Sequence, residues 1–119
     1  MSSPLFHILP DGTPFLEVNT PIRGEDFSDL NLDELVSVWV EFHQVNFRNC
    51  SLRGADFTEA TFEEVDFSGA DLRGALFYAA NIEACRLNGA DLRGASVPLY
   101  ALKLGALASA RIDPTTKFI

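Results

Sequence analysis

Reactive side chains are sparse in this sequence, and none is spaced for catalysis. His7 and His43 are the histidines, and neither has a nucleophile or a carboxylate at a spacing that makes a catalytic pair. Glu63 and Glu64 are adjacent, so on an extended chain their carboxylates diverge and form no acid/base dyad. Cys50 and Cys85 have no His/Cys spacing around them that suits a metal. Gly24, Gly54, Gly69, Gly74, Gly89 and Gly94 fall at intervals that are multiples of five. A phosphate-cradling loop would instead place them at one strand-to-helix turn. The sequence therefore predicts a protein that is not an enzyme and uses no cofactor or metal.

The elements that carry these residues follow a period of five. Every fifth residue from Ile22 to Ile112 is bulky and apolar, with Ser37 as the exception. Seven of the ten phenylalanines stand on this comb: Phe27, Phe42, Phe47, Phe57, Phe62, Phe67 and Phe77. On an α-helix five residues advance about 500°, which scatters such positions around the axis. On a straight strand an odd spacing sends them to alternate faces. A chain that turns a corner after each fifth residue brings them all to one axis. Two residues before each comb position stands a compact side chain, from Val40, Val45, Cys50 and Ala55 through to Ala95 and Ala110. Alternation of large and small suits a narrow, close-packed interior. The six glycines fall two residues after a comb position, where a tight corner benefits from their free backbone. Tyr100 departs from the pattern, being bulky where a compact residue is expected.

The stretches ADFTE, VDFSG, ADLRG and NGADLRGA resemble pentapeptide-repeat proteins. The resemblance covers roughly residues 20 to 114. It implies an all-β solenoid, a right-handed quadrilateral β-helix of about four to five coils with short N- and C-terminal caps. It also implies a filled interior, without a cavity for a cofactor. Residues 1–19 read as an N-terminal cap or hairpin, with two apolar runs around Pro10-Asp11-Gly12. Such a cap covers the open end of a solenoid. Residues 20–114 form the solenoid and 115–119 a C-terminal tail closing the other end, in one domain. Comb residues Leu102, Leu107 and Ile112 favour a continued coil over a helix from Pro98 to Arg111. Both cysteines occupy the compact inward position and read as reduced core residues.

Seventeen acids against nine bases give a net charge of −8. That balance disfavours direct nucleic-acid binding and favours a protein partner with a basic or nucleic-acid-binding surface. No run reaches the length of a membrane span, and the first residues lack a basic, then apolar, leader. The expected location is cytoplasmic, with no membrane partner. Residues twenty apart should stack on one wall. One wall then carries Arg53, Arg73 and Arg93, with Asp71 and Asp91 to compensate them. A second wall carries Glu63, Glu64 and Glu83, with Glu59 at its corner. A third carries Val38, Trp39 and Tyr78 on its outside. Either residues 35–39 leave the regular path, or Trp39 packs under the N-terminal segment, or this row is an interface.

The partner-binding residues expected on these grounds are Val38, Trp39, Glu59, Glu63, Glu64, Tyr78 and Glu83. The resemblance implies a non-enzymatic interaction protein. The family's best understood members are acidic rods that mimic DNA and bind type II topoisomerases, protecting bacteria from quinolones or toxins. This chain is shorter, so an immunity-type inhibitor that neutralises a toxin, such as a nuclease, fits better than direct topoisomerase mimicry. The competing reading is a scaffold or self-associating solenoid, as monomer or homodimer.

Overall fold

The structure is a computed structural model that describes residues 6–8, 10, 12–16, 21–103 and 107–119. Its strands are β1 (Phe6–Ile8), β2 (Pro14–Leu16), β3 (Ile22–Arg23), β4 (Glu41–His43), β5 (Thr61–Asp66), β6 (Asn81–Arg86), β7 (Ser96–Val97) and β8 (Lys117–Phe118). One short helix, α1, spans Leu99–Lys103. The fold is a β-helix solenoid. Strands β3, β4, β5 and β6 pair in parallel, with Phe42 opposite Ile22 and Phe62 opposite Phe42. One circuit therefore takes twenty residues. Three further ladders run beside this one. They connect Asp26, Asn46 and Asp66, then Asn31, Ser51, Asp71, Asp91 and Arg111, then Val36, Asp56, Leu76 and Ser96.

The five-residue comb supplies the interior. Phe42, Phe47, Phe57, Phe67 and Phe77 are fully buried, with Leu52, Leu72 and Leu92 beside them. Rings on one wall stack: Phe42 on Phe62 at 5.3 Å, Phe47 on Phe67 at 5.1 Å and Phe57 on Phe77 at 5.2 Å between centroids. These separations follow the spacing of adjacent strands, about 4.8 Å. Rings from neighbouring walls meet edge to face, as Phe62 and Phe67 do at 73°, the arrangement that ring quadrupoles favour. Two residues past most comb positions the backbone turns with positive φ. Glycine supplies six of these corners, with φ from 65° to 72°. Asp29, Glu34, Trp39, Gln44, Asn49, Glu59, Glu64 and Ala79 adopt the same conformation at 53° to 66°.

Asp and Asn before the comb positions brace the corners. Their side-chain oxygens accept from the N–H two residues on: Asp26 from Ser28, Asn46 from Arg48, Asp56 from Thr58 and Asp66 from Ser68. This is the Asx turn that those residues form readily.

Ser37 does not interrupt the path. It is buried, its hydroxyl donates to the Asp56 carbonyl at 3.1 Å, and residues 35–39 form a regular rung. Strand β2, which pairs antiparallel with β1, lies on that rung. Phe15 bridges Val36, and Leu16 N donates to the Val36 carbonyl at 2.9 Å. Leu16 is buried in the same core, so the N-terminal segment brings the bulky residue that Ser37 lacks.

The other end departs from the expected continued coil. Helix α1 stands where the next rung beside β6 would lie, and the coil resumes at Leu107 and Arg111. Tyr100 bridges the gap. Its hydroxyl accepts from Ile82 N at 2.9 Å and donates to the Ala80 carbonyl at 2.8 Å. In regular circuits the backbone N–H and C=O of one residue fill these roles, as those of Asp66 do toward Val45 and Phe47. The residues read as a tail include β8, which pairs in parallel with β7. Thr116 closes the neighbouring wall by donating its hydroxyl to the Leu92 carbonyl at 2.9 Å.

Candidate protein-binding surface

Three outer walls carry the residues singled out in the sequence. The arginine wall lies over Leu32, Leu52, Leu72 and Leu92. Its charges pair as the stacking predicts: Arg73 with Asp71 at 2.8 Å and Arg93 with Asp91 at 2.7 Å. Arg53 pairs across a rung with Asp33 at 2.9 Å, a partner that the sequence reading missed. Hydrogen bonds from Arg73 and Arg93 hold the carboxyls of Asp71 and Asp91 below the usual carboxylate range. Burial works to raise Asp33, but hydrogen bonds from Arg53 and Ser51 together outweigh it and its carboxyl is also lowered. The wall is close to electrically self-contained.

The glutamate wall lies over β4 to β6. Glu63 and Glu64 are exposed, and Glu64 forms a corner with φ 54°. Glu83 is in β6; its side chain is outside the described residues. His43, expected to lack carboxylate partners, lies between Glu63 at 3.3 Å and Glu41 at 3.4 Å, one on each ring nitrogen. An imidazole donates to both only with a proton on each nitrogen. No nucleophile completes this group. The signal for it was the twenty-residue stacking of His43 under Glu63. His7 is in β1, and its side chain is outside the described residues.

The tryptophan wall lies over Ser37, Phe57, Phe77 and Val97. It brings Val38, Trp39, Glu59 and Tyr78 together. Trp39 N donates to the Thr58 carbonyl at 3.0 Å, and Glu59 N to the Tyr78 carbonyl at 2.7 Å. Trp39 is 61% exposed, Tyr78 42% and Leu99 45%, while Val38 and Glu59 are half-buried. Trp39 is thus not covered by the N-terminal strands. Glu59 marks the corner that joins this wall to the glutamate wall. Where α1 leaves the regular path, a cleft of about 550 Å³ opens between Ala79, Ala80, Asn81, Pro98, Tyr100 and Ile119. The sequence reading had no signal for it beyond Tyr100 being out of pattern.

The cysteines are free. Cys50 is buried and donates its thiol to the Phe27 carbonyl at 2.7 Å, and burial pushes the thiol up to about 11. Cys85 is half-buried and its thiol is likewise pushed up by burial. Neither is poised as a thiolate nucleophile. Among the described residues no cluster of His, Cys, Asp and Glu could hold a metal ion, and no helix is long and apolar enough to cross a membrane.

Residues 41–77 match the Pentapeptide repeats family in eight copies. Among solved structures, the chain is similar to a pentapeptide repeat protein from the thylakoid lumen of Arabidopsis thaliana. The two share 38% identity at a TM-score of 0.62, over 64% of this chain and 52% of that one. The chain thus spans about half the length of that relative. No curated protein matches the sequence. Residues 41–77 are thus pentapeptide repeats, and the same parallel rungs continue on either side of them, from Ile22 to Arg111.

Proposed function

We propose that this protein is a non-enzymatic binding module that docks a basic protein partner on its tryptophan wall and the adjoining glutamates. The ladders would close as a right-handed quadrilateral of four to five coils, presenting these two walls side by side. Trp39 carries the reading. It holds a φ of 66° at a corner that glycine fills elsewhere, and it is 61% exposed. A left-handed conformation costs a bulky residue roughly 1–2 kcal/mol, and exposing an indole forgoes its burial. A bulky residue that takes on this backbone strain and leaves most of its indole exposed is a natural contact anchor.

The acidic side of the surface is one-sided. Glu59 stands on the tryptophan corner and Glu41, Glu63 and Glu64 lie on the adjoining wall, whereas the arginine wall neutralises its own carboxylates. A one-faced patch suits an immunity-type inhibitor of a basic toxin, such as a nuclease, better than a rod that imitates duplex DNA toward a topoisomerase. Negative charge would speed the encounter and the aromatic anchor would slow departure. We place the interaction in the cytoplasm; the similar Arabidopsis protein belongs to the thylakoid lumen.

The test is Trp39→Ala beside the native protein, in affinity capture from the source cells followed by titration of the captured protein. The variant should bind at least 2 kcal/mol more weakly while its unfolding midpoint does not fall. Equal affinity would remove Trp39 as the anchor. Capture of no protein, with symmetric self-association in solution, would favour the scaffold reading.

A further inference from the structure

At the regular corners the N–H points along the solenoid and donates to a carbonyl of the next circuit. Trp39 N reaches Thr58 O at 3.0 Å, Glu59 N reaches Tyr78 O at 2.7 Å, and Gly74 N reaches Arg93 O at 3.0 Å. The next donor on the tryptophan corner is Ala79, and its counterpart in this series is the Pro98 carbonyl. That carbonyl instead accepts from Ala101 N at 3.1 Å, in the first turn of α1. Ala79 keeps the corner conformation at φ 53°, and among the described residues its N–H has no acceptor. The ladder is one carbonyl short at this point, and Ala79 lines the cleft of about 550 Å³ that α1 leaves open.

We infer that this cleft receives an extended segment of a partner protein. A main-chain carbonyl of the segment accepts from Ala79 N–H, an apolar side chain sits between Pro98, Tyr100 and Ile119, and lysine or arginine residues flank it. Strand addition of this kind draws affinity from main-chain hydrogen bonds and specificity from side-chain pockets. The volume lies within the range of about 300–1,000 Å³ typical of binding clefts. Charge decides the flanks. Among the described residues, no basic residue lines the cleft. Glu59 bonds the Tyr78 rung directly beside Ala79, Glu41, Glu63 and Glu64 are exposed on the adjoining wall, and the chain carries −8. The inference rests on the protein-binding reading above and names what the partner must present.

The test is amide NMR of the full chain with two peptides, Ac-Lys-Leu-Val-Leu-Lys-NH2 and its counterpart with glutamate at both ends. With the lysine peptide the Ala79 amide proton should move downfield and saturate, with the remaining shifts confined to residues 79–81, 99–100 and 119. The glutamate peptide should bind at least tenfold more weakly. Ile119→Ser keeps the backbone bonds of residue 119 to Val97 and Leu99, and should weaken the lysine peptide by about tenfold through lost apolar contact. An Ala79 amide that stays in place at about 1 mM peptide, or equal binding of both peptides, would overturn the inference. Neither result depends on the natural partner, so failure here leaves the Trp39 anchor standing. Conversely, a partner that ignores Trp39→Ala leaves this measurement unaffected.

Discussion

The arginine wall and the tryptophan wall share an interior and differ outside. Behind both, one bulky side chain per circuit stacks on the next: Leu52, Leu72 and Leu92 under the first, Phe57 and Phe77 under the second. Outside, the arginine wall answers each need locally. Asp71 and Asp91 brace their corners by accepting from Arg73 N and Arg93 N, and the same carboxylates pair with those guanidinium groups. Glycine turns its corners at Gly54, Gly74 and Gly94. On the tryptophan wall Val36 and Leu76 stand where the brace would be, and only Asp56 keeps it. Trp39, Glu59 and Ala79 turn the corners there without glycine. The interior sets the shape and leaves the exterior free. Departures from the cheapest exterior are therefore the basis of the proposed contact surface.

The comparison breaks first if the interior is not shared. Phe57→Ala should cost about 3–5 kcal/mol and Leu72→Ala about 2–5 kcal/mol in urea unfolding. A loss at Phe57 far below the one at Leu72 would mean that the tryptophan wall is loosely packed and its exposed residues are a symptom of that.

A mirrored pair of corner substitutions sharpens the contrast. Gly74→Ala should destabilise by about 1 kcal/mol, because φ is 71° there while the added methyl meets nothing closer than Gly54 N at 3.9 Å. Trp39→Gly should leave stability unchanged or raise it by up to about 1 kcal/mol. Relief of the left-handed strain is partly offset by the greater freedom of glycine in the unfolded chain. A marked loss at Trp39→Gly in thermal unfolding would show that the indole serves packing, and the two walls would then differ less than their surfaces suggest.

Acid gives the smallest effect. Hydrogen bonds from Arg73 and Arg93 hold Asp71 and Asp91 below the ordinary aspartate pKa in the folded state. Their contribution is present above that value and lost as pH falls through the lower folded one. Replacing Arg73 and Arg93 together by Met should flatten this acid limb in a pH series of unfolding midpoints. Trp39→Gly should leave the limb as it is. Partial exposure of the carboxylates keeps the difference modest.

The period of five made the circuit, the inward residues, the corners and the Asp71–Arg73 and Asp91–Arg93 pairs legible, because each depends on spacing alone. Contacts that need the register were harder. His43 meets Glu41 and Glu63 only once twenty residues are wound into a circuit, and Arg53 finds Asp33 one rung away although no acid precedes its own comb position. What lies outside the repeat was not legible. Leu16 fills the layer of Ser37 from the N-terminal strand, so a break in the comb marked the seat of a cap and not a loop. Tyr100 looked like a poor fit for a compact site, because spacing gives no hint that a hydroxyl can do the work of a peptide group.

That substitution makes Tyr100 a terminator. A solenoid whose rungs are alike has no inherent reason to stop, since each circuit is a template for another. Here the wall over β6 ends on a side chain that satisfies the last donor and acceptor while offering no strand for a successor. The number of rungs on this one wall is thereby set by one residue and one helical turn. On this wall a further circuit of twenty residues would have to be added upstream of Pro98, beside rungs such as β5 that have an equivalent neighbour on both sides.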